Sequence, residues 1–187
     1  MIIDYIERKK INWENIKGFL KDSEISNCYA NNGPTKKLLE KELVKLLKLK
    51  NKKVITVNNG TSALHLLLLF YQYKTDKKIK FLSPSFTFPS VIVNNDIVEI
   101  QDINQKSLTL ELPDENSQYD GFILTNLFGV PILNIDKWID YCNEFNKILI
   151  FDNASYFSGN SMFEFAIKRG FKLKYSANYY PQGNGLV

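Results

Sequence analysis

Short apolar segments alternate with helical segments from residue 53 onward, and this alternation restricts the fold more than any other feature of the sequence. The apolar segments have the length and character of buried strands. They cover residues 54–57, 79–83, 97–100, 121–126 and 147–151. Helices are predicted between them, over 61–72, in a short stretch to about 94, and over 135–146. This order predicts an α/β fold, in which a mostly parallel sheet carries helices on both faces.

Two of these helices differ in how their apolar residues are distributed. The helix over 61–72 is apolar on nearly every side, which predicts a helix that is buried all round. The helix over 135–146 places its apolar residues on one face, which predicts that it packs through that face alone. Those residues are Ile135, Trp138, Ile139 and Cys142.

The segment before the first strand is predicted to be helical as well. One helix is expected near 12–21 within an otherwise irregular arm, and a turn at 31–35 begins a second helix. The second helix is amphipathic because its leucines repeat at helical spacing. They are Leu39, Leu43, Leu46 and Leu47. We therefore predict an N-terminal arm, residues 1–30, followed by one domain, residues 31–187.

Composition excludes several classes of protein. A chain that is 44% hydrophobic and 24% charged does not have the signature of intrinsic disorder. The most apolar stretch, residues 63–70, is far shorter than the ~20 residues that cross a bilayer. Residues 1–10 offer no small-residue cleavage site of the kind that ends a secretory signal. We therefore expect no membrane partner and no secretion.

Charge, cysteine and histidine content narrow the partners further. The net charge of +4 comes from lysines scattered among acidic residues, whereas nucleic-acid binding favours a clustered, arginine-rich face. Two cysteines and one histidine are too few for a disulfide framework or a zinc site. The sequence predicts a cytoplasmic protein with no nucleic-acid partner and no bound metal.

The loops that follow the strands are the places to look for a ligand, because open α/β sheets bind ligands outside the carboxyl ends of their strands. Gly60, Thr61 and Ser62 begin a helix directly after a predicted strand. Backbone N–H groups and the helix dipole there attract an anion such as phosphate. Ordinary capping of the helix by Thr61 or Ser62 explains the same residues.

Two other loops carry residues that suit a flat, cationic ligand. Phe86 and Phe88 lie in the loop over 84–90, where one ring either stacks on a heterocycle or fills the core. Asp152 ends an apolar strand and either caps the next turn or faces a protonated ring nitrogen. A protonated pyridine ring is the electron sink that pyridoxal phosphate supplies to its enzymes.

Six segments in chain order carry a family resemblance. They are NNGPTKKLLEKEL, VITVNNGTSALHLLL, IKFLSPSFTFPSVIV, IVEIQDINQKSLTL, ILTNLFGVP and ILIFDNAS. In this order they resemble the DegT/DnrJ/EryC1/StrS family, the sugar aminotransferases that use pyridoxal 5'-phosphate. The resemblance extends over residues 29–157 and is faint over 158–187. It implies an incomplete copy of the large domain of type I aminotransferases, a three-layer α/β/α sandwich around a largely parallel sheet.

The resemblance also implies a reaction and a set of partners. Family members move an amino group from an amino acid, usually glutamate, to a keto sugar carried on a nucleotide, often in polysaccharide biosynthesis, and they work as homodimers. By position, the resemblance assigns Gly60, Thr61 and Ser62 to the cofactor phosphate, Phe88 to stacking on the ring and Asp152 to the ring nitrogen.

The carboxyl-terminal part departs from the family pattern. Ser155 stands where the family usually has a Gln or His that contacts the ring hydroxyl, and Asn126 stands where many members have His. Ser176 matches the family's phosphate-binding Ser, but the position of the Schiff-base lysine falls near Gln182 or Gly183, which form no such bond. The three lysines nearest this motif, Lys168, Lys172 and Lys174, all precede Ser176. We therefore identify no catalytic residue and expect a truncated chain that does not transaminate alone.

Three alternatives remain open from the sequence. The chain is one half of a split enzyme, or a non-catalytic protein that binds or pairs through the cofactor or sugar pocket. A generic nucleotide-binding domain with a Rossmann-like fold is the third, and the missing GxGxxG motif counts against it.

Overall fold

The computed structural model divides the chain into two compact units, Met1–Ile55 and Thr56–Val187, and it describes residues 11–91, 96–127 and 131–154. The first unit holds two helices, α1 (Trp13–Ser26) and α2 (Pro34–Leu46), as predicted. Asn12 caps α1 by accepting a hydrogen bond from Asn15 N at 3.1 Å. The hydroxyls of Ser23 and Thr35, which lie 2.7 Å apart, join the two helices.

The second unit contains a parallel sheet and two α-helices. The helices are α3 (Gly60–Thr75) and α4 (Ile135–Glu144), and a single 3₁₀ turn covers Pro89–Val91. The described strands are β1 (Phe81–Pro84), β2 (Val98–Gln101), β3 (Gly121–Thr125) and β4 (Ile148–Asp152). They lie in the order β2-β1-β3-β4, and every described pair is parallel. The predicted α/β class is therefore confirmed.

Each face of the sheet packs against a helix, because successive side chains of a strand point to opposite faces. Phe81, Ile123 and Ile150 pack with the buried residues of α3, Leu64 and Leu68. Phe122, Leu124 and Phe151 pack on the other face with Trp138, Ile139 and Cys142 of α4. Helix, sheet and helix form the predicted three layers.

The prediction of a strand over residues 54–57 is wrong. The segment has no strand structure and does not join the four-stranded sheet, and Ile55 is 75% exposed. The prediction rested on a run of β-branched residues, but such residues form a strand only where a neighbouring strand offers pairing and packing. The first strand of the described sheet is β1.

The prediction that α3 is buried on all sides is also wrong. Leu64 and Leu68 face the sheet, but four other large apolar residues of the helix are half exposed or more. These residues, which we call the outer stripe, are Leu66, Leu69, Phe70 and Tyr73. Their spacing of i, i+3, i+4 and i+7 places them on one face. The sheet covers only the opposite face of α3.

Cys142, a buried residue of α4, is expected to be chemically inert in the folded chain. Burial raises the pKa of its thiol to about 12, with a smaller opposing effect from Lys147. At pH 8 only about 10⁻⁴ of such a thiol is ionised, and the thiolate is the reactive form. Iodoacetamide labelling followed by peptide mass spectrometry should modify the partly exposed Cys28 and leave Cys142 intact until the chain is unfolded in urea. Equal labelling rates in the folded chain would contradict the burial of this thiol.

Candidate functional site

The carboxyl ends of β1, β3 and β4 bring several predicted site residues to one edge and one face of the sheet. Thr125 and Asp152 are register partners on β3 and β4. Both lie two residues beyond Ile123 and Ile150, which pack with α3, so both side chains face the α3 layer. The 16-residue α3, about 24 Å long, ends shortly before β1 begins. Its first residues therefore lie toward the carboxyl ends of the strands.

The turn that begins α3 is capped by a residue that the sequence reasoning missed. Asn59 is the N-cap, and its Oδ1 accepts a hydrogen bond from Ser62 N at 2.8 Å. The expected capping by Thr61 or Ser62 is thus wrong. An Asn immediately before the helix was the available signal, because Asn is among the preferred N-cap residues. The hydroxyls of Thr61 and Ser62 are not used to close the helix.

Asp152 is 6% exposed at the end of β4. Its Oδ1 accepts a hydrogen bond from Ala154 N at 3.0 Å, so the carboxylate does cap the following turn. A carboxylate held in this way at the carboxyl edge suits a cationic ligand atom, because burial strengthens its interaction with an opposite charge.

The two phenylalanines after β1 do not fill the core. Phe86 is 50% exposed and Phe88 is 44% exposed. Thr87, between them, shares a hydrogen bond of 2.8 Å with the hydroxyl of Thr125. Partly exposed aromatic rings in the loop after β1, toward the carboxyl edge where β4 ends at Asp152, suit a flat heterocyclic ligand.

A buried amide pair lies beside Asp152, and only one of its two members was noticed in the sequence. The Asn126 Nδ2 donates to Asn153 Oδ1, and the Asn126 Oδ1 accepts from Ile132 N at 3.0 Å. Asn126 N also donates to the carbonyl of Asp152 at 3.0 Å. Both amides are almost completely buried. Asn126 therefore fixes the end of β4 and the start of the segment that leads to α4.

Asn126→Ala is expected to lower the free energy of unfolding by about 2–4 kcal/mol, because it leaves both Asn153 Oδ1 and Ile132 N buried without a partner. Asn153→Ala leaves only the Asn126 Nδ2 donor without a partner, so it should lower the free energy of unfolding by about half as much. Urea denaturation followed by Trp138 fluorescence measures both values. Asn104→Ala is the matched control, since the Asn104 side chain also takes part in two hydrogen bonds, accepting both from backbone N–H groups, but does so nearer to solvent. Equal losses for Asn126→Ala and Asn104→Ala would contradict the role of burial.

Two predicted site residues, Ser155 and Ser176, lie outside the described residues, as do Gln182 and Gly183. Their assignments stay predictions. In the described parts of the chain, no three His, Cys, Asp or Glu side chains form a cluster able to hold a metal, and no helix is long and apolar enough to span a bilayer.

Three neighbouring residues with shifted pKa values, Lys80, Glu99 and Tyr119, lie toward the opposite, amino-terminal edge of the sheet. Glu99 accepts hydrogen bonds from Lys80 Nζ at 2.6 Å and from the Tyr119 hydroxyl at 2.8 Å. The bond from Lys80 lowers the pKa of Glu99, and the bonds to Glu99 raise the pKa values of Lys80 and Tyr119. Because this cluster lies far along the strands from Asp152, we assign it to holding β1, β2 and the start of β3 together rather than to the site.

Comparisons with known proteins identify a matching family and solved structures with a similar fold. Residues 11–159 match the model of the DegT/DnrJ/EryC1/StrS aminotransferase family. An aminotransferase from Psychrobacter cryohalolentis aligns with a TM-score of 0.59 at 18% identity, over 82% of this chain and 40% of that protein.

Two further structures give similar values. DesI, solved in the presence of its TDP-sugar product, aligns with a TM-score of 0.57 at 18% identity, over 76% of this chain and 37% of DesI. The putative sugar aminotransferase Spr1654 from Streptococcus pneumoniae, in its PMP form, aligns with a TM-score of 0.56 at 18% identity, over 78% and 41% of the two chains. The chain thus spans about 40% of the length of the structures it matches. At 18% sequence identity, this structural similarity shows that the chain shares the fold of these proteins.

Proposed function

The chain belongs to the DegT/DnrJ/EryC1/StrS aminotransferase family, and from this premise we propose that it takes part in moving an amino group from glutamate to a keto sugar carried on a nucleotide. The family uses pyridoxal 5'-phosphate. The observation that carries the proposal is the placement of the α3 turn and of Asp152 on one face of the sheet, toward its carboxyl edge. The residues present there match the two ends of this cofactor, an anionic phosphate and a cationic ring.

The described residues suit the cofactor in three ways. Backbone N–H groups at the start of α3, with the hydroxyls of Thr61 and Ser62, hold the phosphate. The Asp152 carboxylate keeps the ring nitrogen protonated by opposite-charge stabilisation. Phe88 stacks on the ring. Pyridoxal phosphate held by these residues would supply an electron sink for the substrate carbon.

The substrate proposal rests on the family and on the structural relatives. DesI was solved with its TDP-sugar product, and a nucleotide-linked sugar is the acceptor we propose for this chain. We further assign Ser155 to the ring hydroxyl, Ser176 to the phosphate and the protein to the cytoplasm.

A homodimer is the proposed assembly, and the outer stripe of α3 supports it. Leu69 and Phe70 lie at the centre of this exposed apolar face. Contiguous apolar surface of this kind is typical of protein interfaces. Sedimentation equilibrium should give twice the 21.7 kDa chain mass, and Leu69→Lys should shift the equilibrium to the monomer. A monomeric parent chain would contradict this part of the proposal.

We assign no residue of this chain to the role of the family's Schiff-base lysine. By resemblance, the family's lysine position falls near Gln182 or Gly183, and neither side chain forms an imine. We therefore propose that this chain does not complete the transfer alone and that a separate polypeptide supplies the lysine, as in a split enzyme. The same substitution favours a second candidate, a non-catalytic protein that binds the cofactor or sugar. Mixing the chain with a polypeptide that carries the rest of the family domain separates the two, since only the split enzyme gains transaminase activity.

Titration of the chain with pyridoxal phosphate tests the proposal directly. Absorbance difference spectra should show saturable binding, and borohydride treatment followed by mass spectrometry should show no stoichiometric adduct on lysine. An absence of saturable binding would contradict the cofactor site. A stoichiometric lysine adduct would contradict the claim that this chain lacks the reactive lysine.

A further inference from the structure

A hydrogen bond between two threonines joins the loop after β1 to the end of β3. The hydroxyls of Thr87 and Thr125 lie 2.8 Å apart, although the residues are 38 positions apart in sequence. Thr125 is 8% exposed, so water competes little for its hydroxyl. The bond is therefore a fixed connection between two elements of the carboxyl edge.

This bond joins two neighbours of the residues that we assign to the ring of the cofactor, Asp152 and Phe88. Thr125 is the register partner of Asp152, so their backbones lie about 4.8 Å apart on neighbouring strands. Thr87 directly precedes Phe88. A continuous row of residues thus leads from the carboxylate of Asp152 through Thr125 and Thr87 to the ring of Phe88.

Burial alone does not fix the loop that holds Phe88. Phe86 is 50% exposed and Phe88 is 44% exposed, so a large part of each ring's surface lies outside the packed interior. Two other bonds hold the start of this loop, from Ser85 N to the Gln101 carbonyl at 2.7 Å and from Ser85 Oγ to Asp102 at 3.3 Å. Both attach it to the β2 side. The Thr87–Thr125 bond attaches it to the side where Asp152 lies.

We propose that Thr125, acting through Thr87, is a positioning residue that holds the Phe88 ring in place relative to the Asp152 carboxylate. This inference rests on the proposed function of the edge as a cofactor site. It gives Thr125 a role that the sequence motifs did not assign. The hydroxyl, rather than the bulk of the side chain, carries the role.

Amide hydrogen exchange of the full 187-residue chain without cofactor tests the first step. Thr125→Val removes the hydroxyl but keeps the shape, and exchange of residues 85–88 should become about 5-fold faster, the factor that matches one lost net hydrogen bond. Thr87→Val should have the same effect from the loop side, and the double variant should add little. Thr125→Ser should restore the parent rate. Unchanged exchange in both Val variants would overturn the proposal.

Thr109→Val is the matched control for these variants. Thr109 is also almost fully buried, and its hydroxyl has no hydrogen-bond partner among the described residues. The substitution should therefore leave the exchange of residues 85–88 unchanged. An equal acceleration in Thr109→Val would show a general loss of stability and would overturn the proposal.

Circular dichroism of bound pyridoxal phosphate tests the second step, because the induced signal depends on how the ring is oriented. Thr125→Val should reduce this signal and raise the Kd about 5-fold, and Thr125→Ser should restore both. A normal signal and Kd in Thr125→Val, with faster loop exchange, would overturn the positioning role. Absence of binding by the parent chain would overturn the proposed function, and loop exchange would still decide whether Thr125 holds Phe88.

Discussion

Asp152→Asn is expected to raise the Kd for pyridoxal phosphate about 50-fold, the factor for a lost charge-assisted hydrogen bond. The Asn side chain keeps the shape of Asp and an oxygen that accepts the bond from Ala154 N. It loses the negative charge that we propose interacts with the protonated ring nitrogen of the cofactor. Absorbance titration at a fixed pH near 7.5 measures the Kd of the parent and the variant.

Asp152→Ala separates the two functions of this carboxylate. It removes both the charge and the acceptor for Ala154 N, so it should weaken cofactor binding as Asp152→Asn does and also lower the stability of the chain. Asp102→Asn is the matched control, because Asp102 also follows a strand at the carboxyl edge and accepts a bond from the next residue, Ile103 N, at 2.8 Å. It should bind cofactor as the parent does. Parent-like binding by Asp152→Asn would remove Asp152 from the proposed site.

The parts of the fold that were predicted correctly are those with a strong local signal. The buried strands β1, β3 and β4 follow short apolar runs, and their observed bounds lie within two residues of the predicted ones. Helix α4 buries Trp138, Ile139 and Cys142, as its one-sided pattern indicates. In each case the spacing of the apolar residues indicates which side chains are buried on folding.

The failed predictions concern what lies next to a segment in space. The β-branched run over 54–57 and the apolar α3 have strong propensities, but propensity does not say which neighbour covers a face. The Asn126–Asn153 pair was missed for the same reason, because the two residues are 27 positions apart and meet only in the folded sheet. Asp152 was found because its position at a strand end is visible in the sequence.

Gly121→Ala is expected to destabilise the second unit by about 3 kcal/mol, at the upper end of the usual cost of overpacking. Gly121 begins β3 between β1 and β4, opposite Phe81 and Ile148. A Cβ there would lie 2.5 Å from the Ile148 carbonyl oxygen and 2.5 Å from a ring carbon of Phe81. Neither group has room to move, because the carbonyl belongs to a paired strand and Phe81 is completely buried.

Urea denaturation followed by tryptophan fluorescence reports on this unit, since Trp138 packs against Phe122 in its core whereas the other tryptophan, Trp13, is already 64% exposed in the folded chain. Gly18→Ala is the control with the opposite expected sign. Gly18 lies within α1 with no atom within 4 Å of an added Cβ, so this substitution should stabilise α1 by about 0.5–1 kcal/mol through helix propensity. The same small change for both variants would show that β1, β3 and β4 do not approach each other closely at Gly121. A large loss confined to Gly121→Ala would show that a residue without a side chain is required where these three strands meet.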